Sequence, residues 1–314
     1  SNSSAASDVY KRQEYNDAGL VSTVTRADGT VLNYFYDRFM RFLYIVAEGN
    51  VCSRAFYDRV SKLSDISTYL KPEHVPAFEI IKTELHNLNG RQCGALSIEY
   101  ESGAVDKEKC VVDLISYDSH GRVEAKYKYI PQVGWQKTTF EYNLMNSITQ
   151  KNIYPQYLSG VSYPDIAFNY EYDNIGRLSF VKNAEGKELC DYTYTETGLL
   201  REKNFYNKTT QTVTVNSLYS YNIRDWLESV DHVAAGSDLF TEDPGYSSLY
   251  DGTISSETFN FKDIGRNITL SYTYDGINRL TSVAANSGYE IYLSLIHISE
   301  PTRPLYISYA VFCL

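Results

Sequence analysis

The chain is 314 residues long, with a formal net charge of −10 and 22% charged residues. That acidic balance, without a Lys/Arg cluster, argues against a nucleic-acid surface, and no apolar run approaches the ~18 residues a membrane span needs. Tyrosine dominates the aromatics, 30 against 13 Phe and 2 Trp, and it suits half-buried sheet faces, where the ring packs and the hydroxyl reaches water or a partner.

The first residues do not read as protein sequence. Reverse-translated, Ser3–Gln13 (SSAASDVYKRQ) reproduces the adapter of a widely used transposase-based sequencing library. Leu293–Arg303 (LSLIHISEPTR) and Ile307–Leu314 (ISYAVFCL) reproduce the opposite adapter, with Pro304, Leu305 and Tyr306 where sample-index codons fall. Residues 1–13 and 293–314 are therefore set aside as adapter-derived tails, His297 and Cys313 with them. Both tails are expected to make few specific contacts, and 14–292 is the native segment.

That segment repeats. Tyr15 precedes a turn ending at Gly19, and Tyr36-Asp37 and Tyr57-Asp58 follow at intervals of 21 residues. Met40 and Ser61 stand where those two turns would carry glycine. Between Lys71 and Gly90 the pattern changes: Phe78, Ile81, Leu85 and Leu88 fall at helical spacing, Pro76 suits a first turn and Gly90 a C-cap. A short inserted helix near 76–88 is predicted, with two irregular strands as the alternative. His74, Glu84 and His86 lie there without metal-ligand spacing and are expected to serve surface or packing roles.

The repeat resumes at Tyr117-Asp118-Ser119-His120-Gly121-Arg122, and Tyr142-Asn143 is a degenerate copy. The clearest unit follows. Phe168, Tyr170 and Tyr172 alternate with Asn169 and Glu171, the period-two pattern of a strand. Asp173 to Gly176 supplies Asp first and Gly fourth in a tight turn, where Asp bonds the backbone two residues on and Gly accepts positive φ. Reversals recur at Asn183–Gly186 and Thr195–Gly198, about every 11 residues, which leaves strands of about seven residues spanning roughly 23 Å. Tyr221-Asn222 is another degenerate copy, and Tyr274-Asp275-Gly276-Ile277-Asn278-Arg279 closes the series. Paired tyrosines two apart (127/129, 170/172, 192/194, 219/221, 272/274) are expected to stack across adjacent strands, each contact worth roughly 0.2–1 kcal/mol. Cys52, Cys93, Cys110 and Cys190 form no CxxC pair; their spacing allows two disulfides or four buried thiols, the thiols being expected.

Three stretches carry a resemblance: Tyr172–Val181 (YDNIGRLSFV), Tyr117–Val123 (YDSHGRV) and Tyr274–Val283 (YDGINRLTSV). With YSYNIRDWLESV and SSLYDGTISSETFNF, they resemble the bacterial tyrosine–aspartate (YD, or Rhs-type) repeat family. The resemblance implies an all-β antiparallel meander that forms part of a spiralling hollow shell, secreted or at the bacterial cell surface. It also implies that the partners are the remaining shell repeats and a C-terminal toxin of the parent protein. In that family an Asp-Pro-Gly element carries out autoproteolysis near the shell end, but the context of Asp243-Pro244-Gly245 differs, and a tight turn is expected there. The motif residues Tyr117, Asp118, Gly121, Arg122, Tyr172, Asp173, Gly176, Arg177, Tyr194, Gly198, Tyr221, Tyr274, Asp275 and Arg279 are expected to be structural. No GxSxG, P-loop or HExxH sequence occurs, and neither enzyme activity nor a cofactor is expected. A structural wall segment is the leading reading. A carbohydrate- or receptor-binding module, with surface glycans as partners, is the alternative.

Overall fold

The computed structural model describes residues 12–292 apart from 27, 102, 161–162, 235, 248–250, 263 and 287–289. The adapter-like tails lie outside the described residues, except for Arg12 and Gln13. Contacts divide the chain into two compact units at Tyr170/Glu171, with no linker between them.

The first unit opens with β1 (Arg12–Tyr15), β2 (Val21–Thr25), β3 (Val31–Tyr36), β4 (Phe42–Ala47) and β5 (Asn50–Tyr57). After an inserted helical stretch come β6 (Gln92–Ser97), a small hairpin of β7 (Tyr100–Glu101) and β8 (Ala104–Val105), then β9 (Val111–Tyr117), β10 (Val123–Ile130), β11 (Gly134–Tyr142), β12 (Ile148–Tyr157) and β13 (Ile166–Tyr172), within which the boundary between the units falls. Apart from the β7–β8 hairpin, each strand pairs antiparallel with the next in order, β6 joining β9 directly. Arg12 and Gln13, assigned to the tail, pair with Thr25 and Val24. Ladder bonds use main-chain groups that every non-proline residue carries, so the strand runs across the sequence junction.

The second unit continues with β14 (Leu178–Asn183), β15 (Glu188–Tyr194), β16 (Leu200–Tyr206), β17 (Val213–Tyr221), β18 (Leu227–Ala234), β19 (Ser237–Tyr246), β20 (Ile254–Phe261), β21 (Arg266–Tyr274), β22 (Leu280–Ala285) and β23 (Glu290–Tyr292), again pairing consecutively and antiparallel. The expected meander is present, and its reversals fall at Asp118–Gly121, Asp173–Gly176 and Asn183–Gly186.

The deep core belongs to the first unit. β9 buries Val112, Leu114 and Ser116, and β10 buries Ala125, Tyr127 and Tyr129, each at period two. One face of this sheet is covered by the insertion: a 3-10 helix over Val60–Tyr69, a short one over Pro72–His74, and α1 (Val75–Thr83). Leu63 and Ile66 are buried and Tyr69 packs beside them, at the spacing of three that a 3-10 helix places on one face. Phe78 is fully buried and stacks on Trp135 at 5.9 Å with ring planes 9° apart.

The helix expected near 76–88 is therefore real but ends at Thr83. Leu85 and Leu88 still reach the core from the following loop, where Asn87 takes φ +53°. Asp243-Pro244-Gly245 forms no turn. It lies inside β19, opposite Thr258, Glu257 and Ser256, and the register shifts between Gly245 and Tyr246. A bulge beside a proline is where a ladder accommodates a residue without an N–H. A Cβ on Gly245 would meet the rotatable Ser256 hydroxyl at 2.5 Å, while the nearest backbone atom, Ser256 O, lies at an ordinary 3.7 Å. Among the described residues all four cysteines are free thiols; Cys93, Cys110 and Cys190 are buried and Cys52 is half-buried.

Candidate functional site

The most repeated chemistry in the chain is at its turns. In Tyr172-Asp173-Asn174-Ile175-Gly176-Arg177, the Asp173 N–H donates to Arg177 O at 2.8 Å and the Gly176 N–H donates to Asp173 O at 3.0 Å. Asp173 Oδ1 accepts the N–H groups of Ile175 and Arg177 at 3.0 and 2.9 Å, and Oδ2 accepts Arg177 Nε at 2.7 Å. Gly176 takes φ +86°, a conformation L side chains rarely adopt. One aspartate thus satisfies three donors, and the arginine is fixed by the residue four before it.

The same set recurs at Asp37/Arg41, Asp118/Arg122 and Asp275/Arg279, whose Nε–Oδ2 distances are 2.7, 2.6 and 2.7 Å. Partial desolvation pushes the carboxyls of Asp37, Asp118 and Asp173 up, but bonds from the arginine backbone and guanidinium outweigh it and hold them below the usual range. Asn16, Asn143, Asn183 and Asn222 keep the two backbone bonds through Oδ1. At the glycine position, Met40, Asn146, Asp225 and Asn278 take φ values between +60° and +64°.

Tyrosines before several of these turns perform a second task that their spacing does not reveal. Tyr194 OH donates to Leu178 O at 2.7 Å, on the strand leaving the previous turn of the same edge, and the Arg177 guanidinium lies over the Tyr194 ring at 4.4 Å. Tyr142 repeats this with Val123 O at 2.7 Å and Arg122 at 4.7 Å. Tyr36, Tyr221, Tyr246 and Tyr274 donate to Val21, Leu200, Leu227 and Ile254 carbonyls at 2.8 to 2.9 Å. The tyrosine–tyrosine ladder expected for the 192/194 pair is replaced at Tyr194 by this arginine stack: the guanidinium is already anchored beside the ring by its aspartate, and a cation over an aromatic face is favourable. Gly198 closes its turn on Thr195 O at 3.0 Å with φ +91°.

One turn is split by the insertion. Asp58 N–H donates not to a residue four later but to Arg91 O at 3.0 Å, and Asp58 Oδ1 accepts the Gly90 N–H at 3.0 Å. Gly90 has φ +75°. Tyr117 OH then donates to Gln92 O at 2.9 Å, with the Arg91 guanidinium 5.4 Å above the Tyr117 ring. Gly90-Arg91 is thus the second half of the turn that Tyr57-Asp58 begins, and residues 59–89 are spliced between them. Ser61, read in sequence as the residue in the glycine position, sits in the 3-10 helix, and Gly90 is a turn glycine rather than a helix cap. Arg41 clamps Asp58 with two bonds of 3.0 Å and lies over Tyr57 at 4.4 Å, tying the split turn to the one before it.

The insertion is latched by Glu84. Its carboxylate accepts Tyr127 OH at 2.6 Å, Tyr157 OH at 2.5 Å and Lys137 Nζ at 2.8 Å. Desolvation pushes this carboxyl up, but the Lys137 ammonium and the two phenols outweigh it and hold it below the ordinary range. Burial, then the bond to Glu84, pushes the Tyr127 phenol up. His74 packs edge-on against Tyr129 at 5.4 Å, while His86 is exposed and only its backbone N–H bonds the sheet, to Ser116 Oγ at 2.9 Å. In the second unit, burial and then a shared hydrogen bond with Glu257 push the Glu242 carboxyl up to about 7. Tyr272 OH completes this cluster, donating to Glu257 at 2.7 Å.

Among the described residues no His/Cys/Asp/Glu group has the arrangement of a metal site, and no helix is long and apolar enough to cross a membrane. No protein-family profile matches the chain, and no curated protein matches it in sequence. Solved structures do. TcdB2-TccC3 without its hypervariable C-terminal region matches over 92% of this chain with a TM-score of 0.54 and 13% identity. TcdB2-TccC3-Cdc42 matches over 88% with a TM-score of 0.51 and 15% identity, and TcdB2-TccC3-TEV over 90% with 0.50 and 13%. The chain spans 15 to 16% of the length of these chains. At this identity the likeness is one of fold.

Proposed function

We propose that the chain is a stretch of wall from a secreted or surface-displayed Rhs/YD-repeat shell, that the shell encloses a toxin encoded beyond this segment, and that the wall catalyses nothing itself. The observation that carries this reading is how the repeated side chains are used. Asp, Gly and Arg of each full motif close a turn, and several of the tyrosine hydroxyls, Tyr117, Tyr142, Tyr194 and Tyr274 among them, bond a neighbouring strand, so the most regular polar groups are committed to holding sheet geometry. An active site needs a few unlike groups converging on one point. Here identical groups recur along an edge instead. The fold shared with TcdB2-TccC3 over about nine-tenths of the chain supports the same reading.

The test is imaging and protease challenge of a longer protein carrying residues 14–292. The expected result is a hollow particle whose C-terminal region is protected until the particle is opened. A solid or open particle, or a C-terminal region cut as fast as the isolated region, would overturn the proposal.

A further inference from the structure

The split turn has no equivalent among the other turns of the full motif, which close within five residues, and it creates a cleft. The 3-10 helix of the insertion stands beside β4 and β5, leaving a volume of about 620 Å³ between them, inside the ~300–1,000 Å³ range of small-ligand sites. The repeat ladder contributes Tyr44, Arg54 and Tyr57 to its lining, and the insertion contributes Lys62, Asp65 and Tyr69. We propose that this cleft binds a neutral pyranose, as the terminal sugar of a glycan.

The chemistry of the lining selects that class. Arg41 also borders the cleft, but it is consumed by Asp37 and Asp58. The groups left with capacity are Arg54 and Asp65, which touch each other only at 3.4 Å and are 39% and 61% exposed, and Lys62, which is 54% exposed and reaches Asp58 at 3.4 Å. A guanidinium and a carboxylate side by side match vicinal hydroxyls, each of which accepts from one and donates to the other. Of the three half-buried tyrosines, Tyr57 has one ring face under Arg41 at 4.4 Å and Tyr44 stacks on Phe35 at 4.6 Å, so they offer their remaining ring surface and hydroxyls to the apolar C–H face and the remaining hydroxyls of a sugar. A simple anion would meet Asp65. A purely apolar ligand would strand all three charges without hydrogen bonds, which is costly. The proposal is independent of the wall reading, because a wall segment needs no ligand.

The experiment is NMR or calorimetric titration of the whole chain with methyl glycosides of glucose, galactose, mannose and N-acetylglucosamine. At least one should bind with a Kd of about 1 mM, as expected of a shallow site contacting one ring. Asp65→Asn and Arg54→Gln should each weaken it at least tenfold with unfolding midpoints unchanged, since both side chains are exposed. Binding that survives both substitutions, or no response to any glycoside, overturns the proposal. So does binding of glycine or leucine in place of the glycosides, because a zwitterion would use the same charged pair.

Discussion

The hydroxyl-to-carbonyl bonds of the repeat tyrosines can be measured one at a time. Tyr194→Phe removes the 2.7 Å bond to Leu178 O while leaving the ring under the Arg177 guanidinium. A neutral hydrogen bond of this kind contributes about 0.5–1.5 kcal/mol net. The carbonyl left behind is only half-buried and regains water, so the loss should sit near the middle of that range. Tyr194→Leu removes the stack as well and should cost a further ~0.5–1 kcal/mol, the value of a cation over an exposed ring. Tyr274→Phe removes the equivalent 2.8 Å bond to Ile254 O many strands away. Because the two sites share no partner, the double Tyr→Phe variant should lose the sum within about 0.5 kcal/mol. Urea unfolding followed by circular dichroism reads each value. A double variant within ~0.3 kcal/mol of the parent would show that these hydroxyls only exchange one partner for an equivalent water, and the proposed lock would fail.

Other substitutions probe other parts of the fold. Phe78→Ala empties the fully buried site against Trp135 and should cost about 3–5 kcal/mol, with Trp135 emission shifting red at a lower urea concentration; an unchanged midpoint would mean the insertion is not seated as described. Met40→Gly relieves a non-glycine residue at φ +60°, and should raise stability by about 0.5–1 kcal/mol after glycine's own entropy cost; a lower urea midpoint would contradict it. Glu242 has its folded pKa raised to about 7 from an ordinary 4.5. The folded state therefore holds its proton longer than the unfolded chain, so stability falls as pH rises from 4.5 to about 7 and the full penalty applies above that. Glu242→Gln should flatten that part of the urea-midpoint profile, and an identical slope in the variant would assign the effect elsewhere. Glu84 behaves in the opposite sense: its latch is complete above the unfolded value and is lost as pH falls through its lowered folded value, so Glu84→Gln should remove acid sensitivity from the Trp135 signal.

What could be read from sequence was what is local in sequence. The turn at Asp173–Gly176 has every hydrogen-bonding partner within five residues, so residue types at fixed offsets reveal it. Gly90 looked like a helix cap because a C-terminal glycine is the commonest local explanation of that pattern, whereas its actual partner Asp58 is 32 residues away. Leu63, Ile66 and Tyr69 carried a period of three that fits neither a strand nor an α-helix, and the 3-10 helix went unread. Asp243-Pro244-Gly245 has turn composition, yet cross-strand pairing with β20 overrides local preference. The tyrosine–carbonyl bonds were hidden for a related reason: which carbonyl a hydroxyl meets depends on strand register, not on the residues beside it. The Glu84 latch joins groups up to 73 residues apart and left no spacing signal.

The split turn also bears on how such a chain acquires new parts. Closure at Asp58, Gly90 and Arg91 rests on bonds between the two ends, Asp58 N–H to Arg91 O and Gly90 N–H to Asp58 Oδ1, and the inserted residues add support of their own: the Arg91 N–H donates to Leu88 O, its guanidinium to Asn87 O, and Lys62 reaches Asp58. A repeat of this design can hold its two ends together across a long insertion. Passenger segments can therefore enter at the second and third turn positions while strand pairing on either side stays in register. The same property makes those positions, Asn174-Ile175 for example, the places to graft a foreign loop or tag into a sheet that otherwise leaves little room for one.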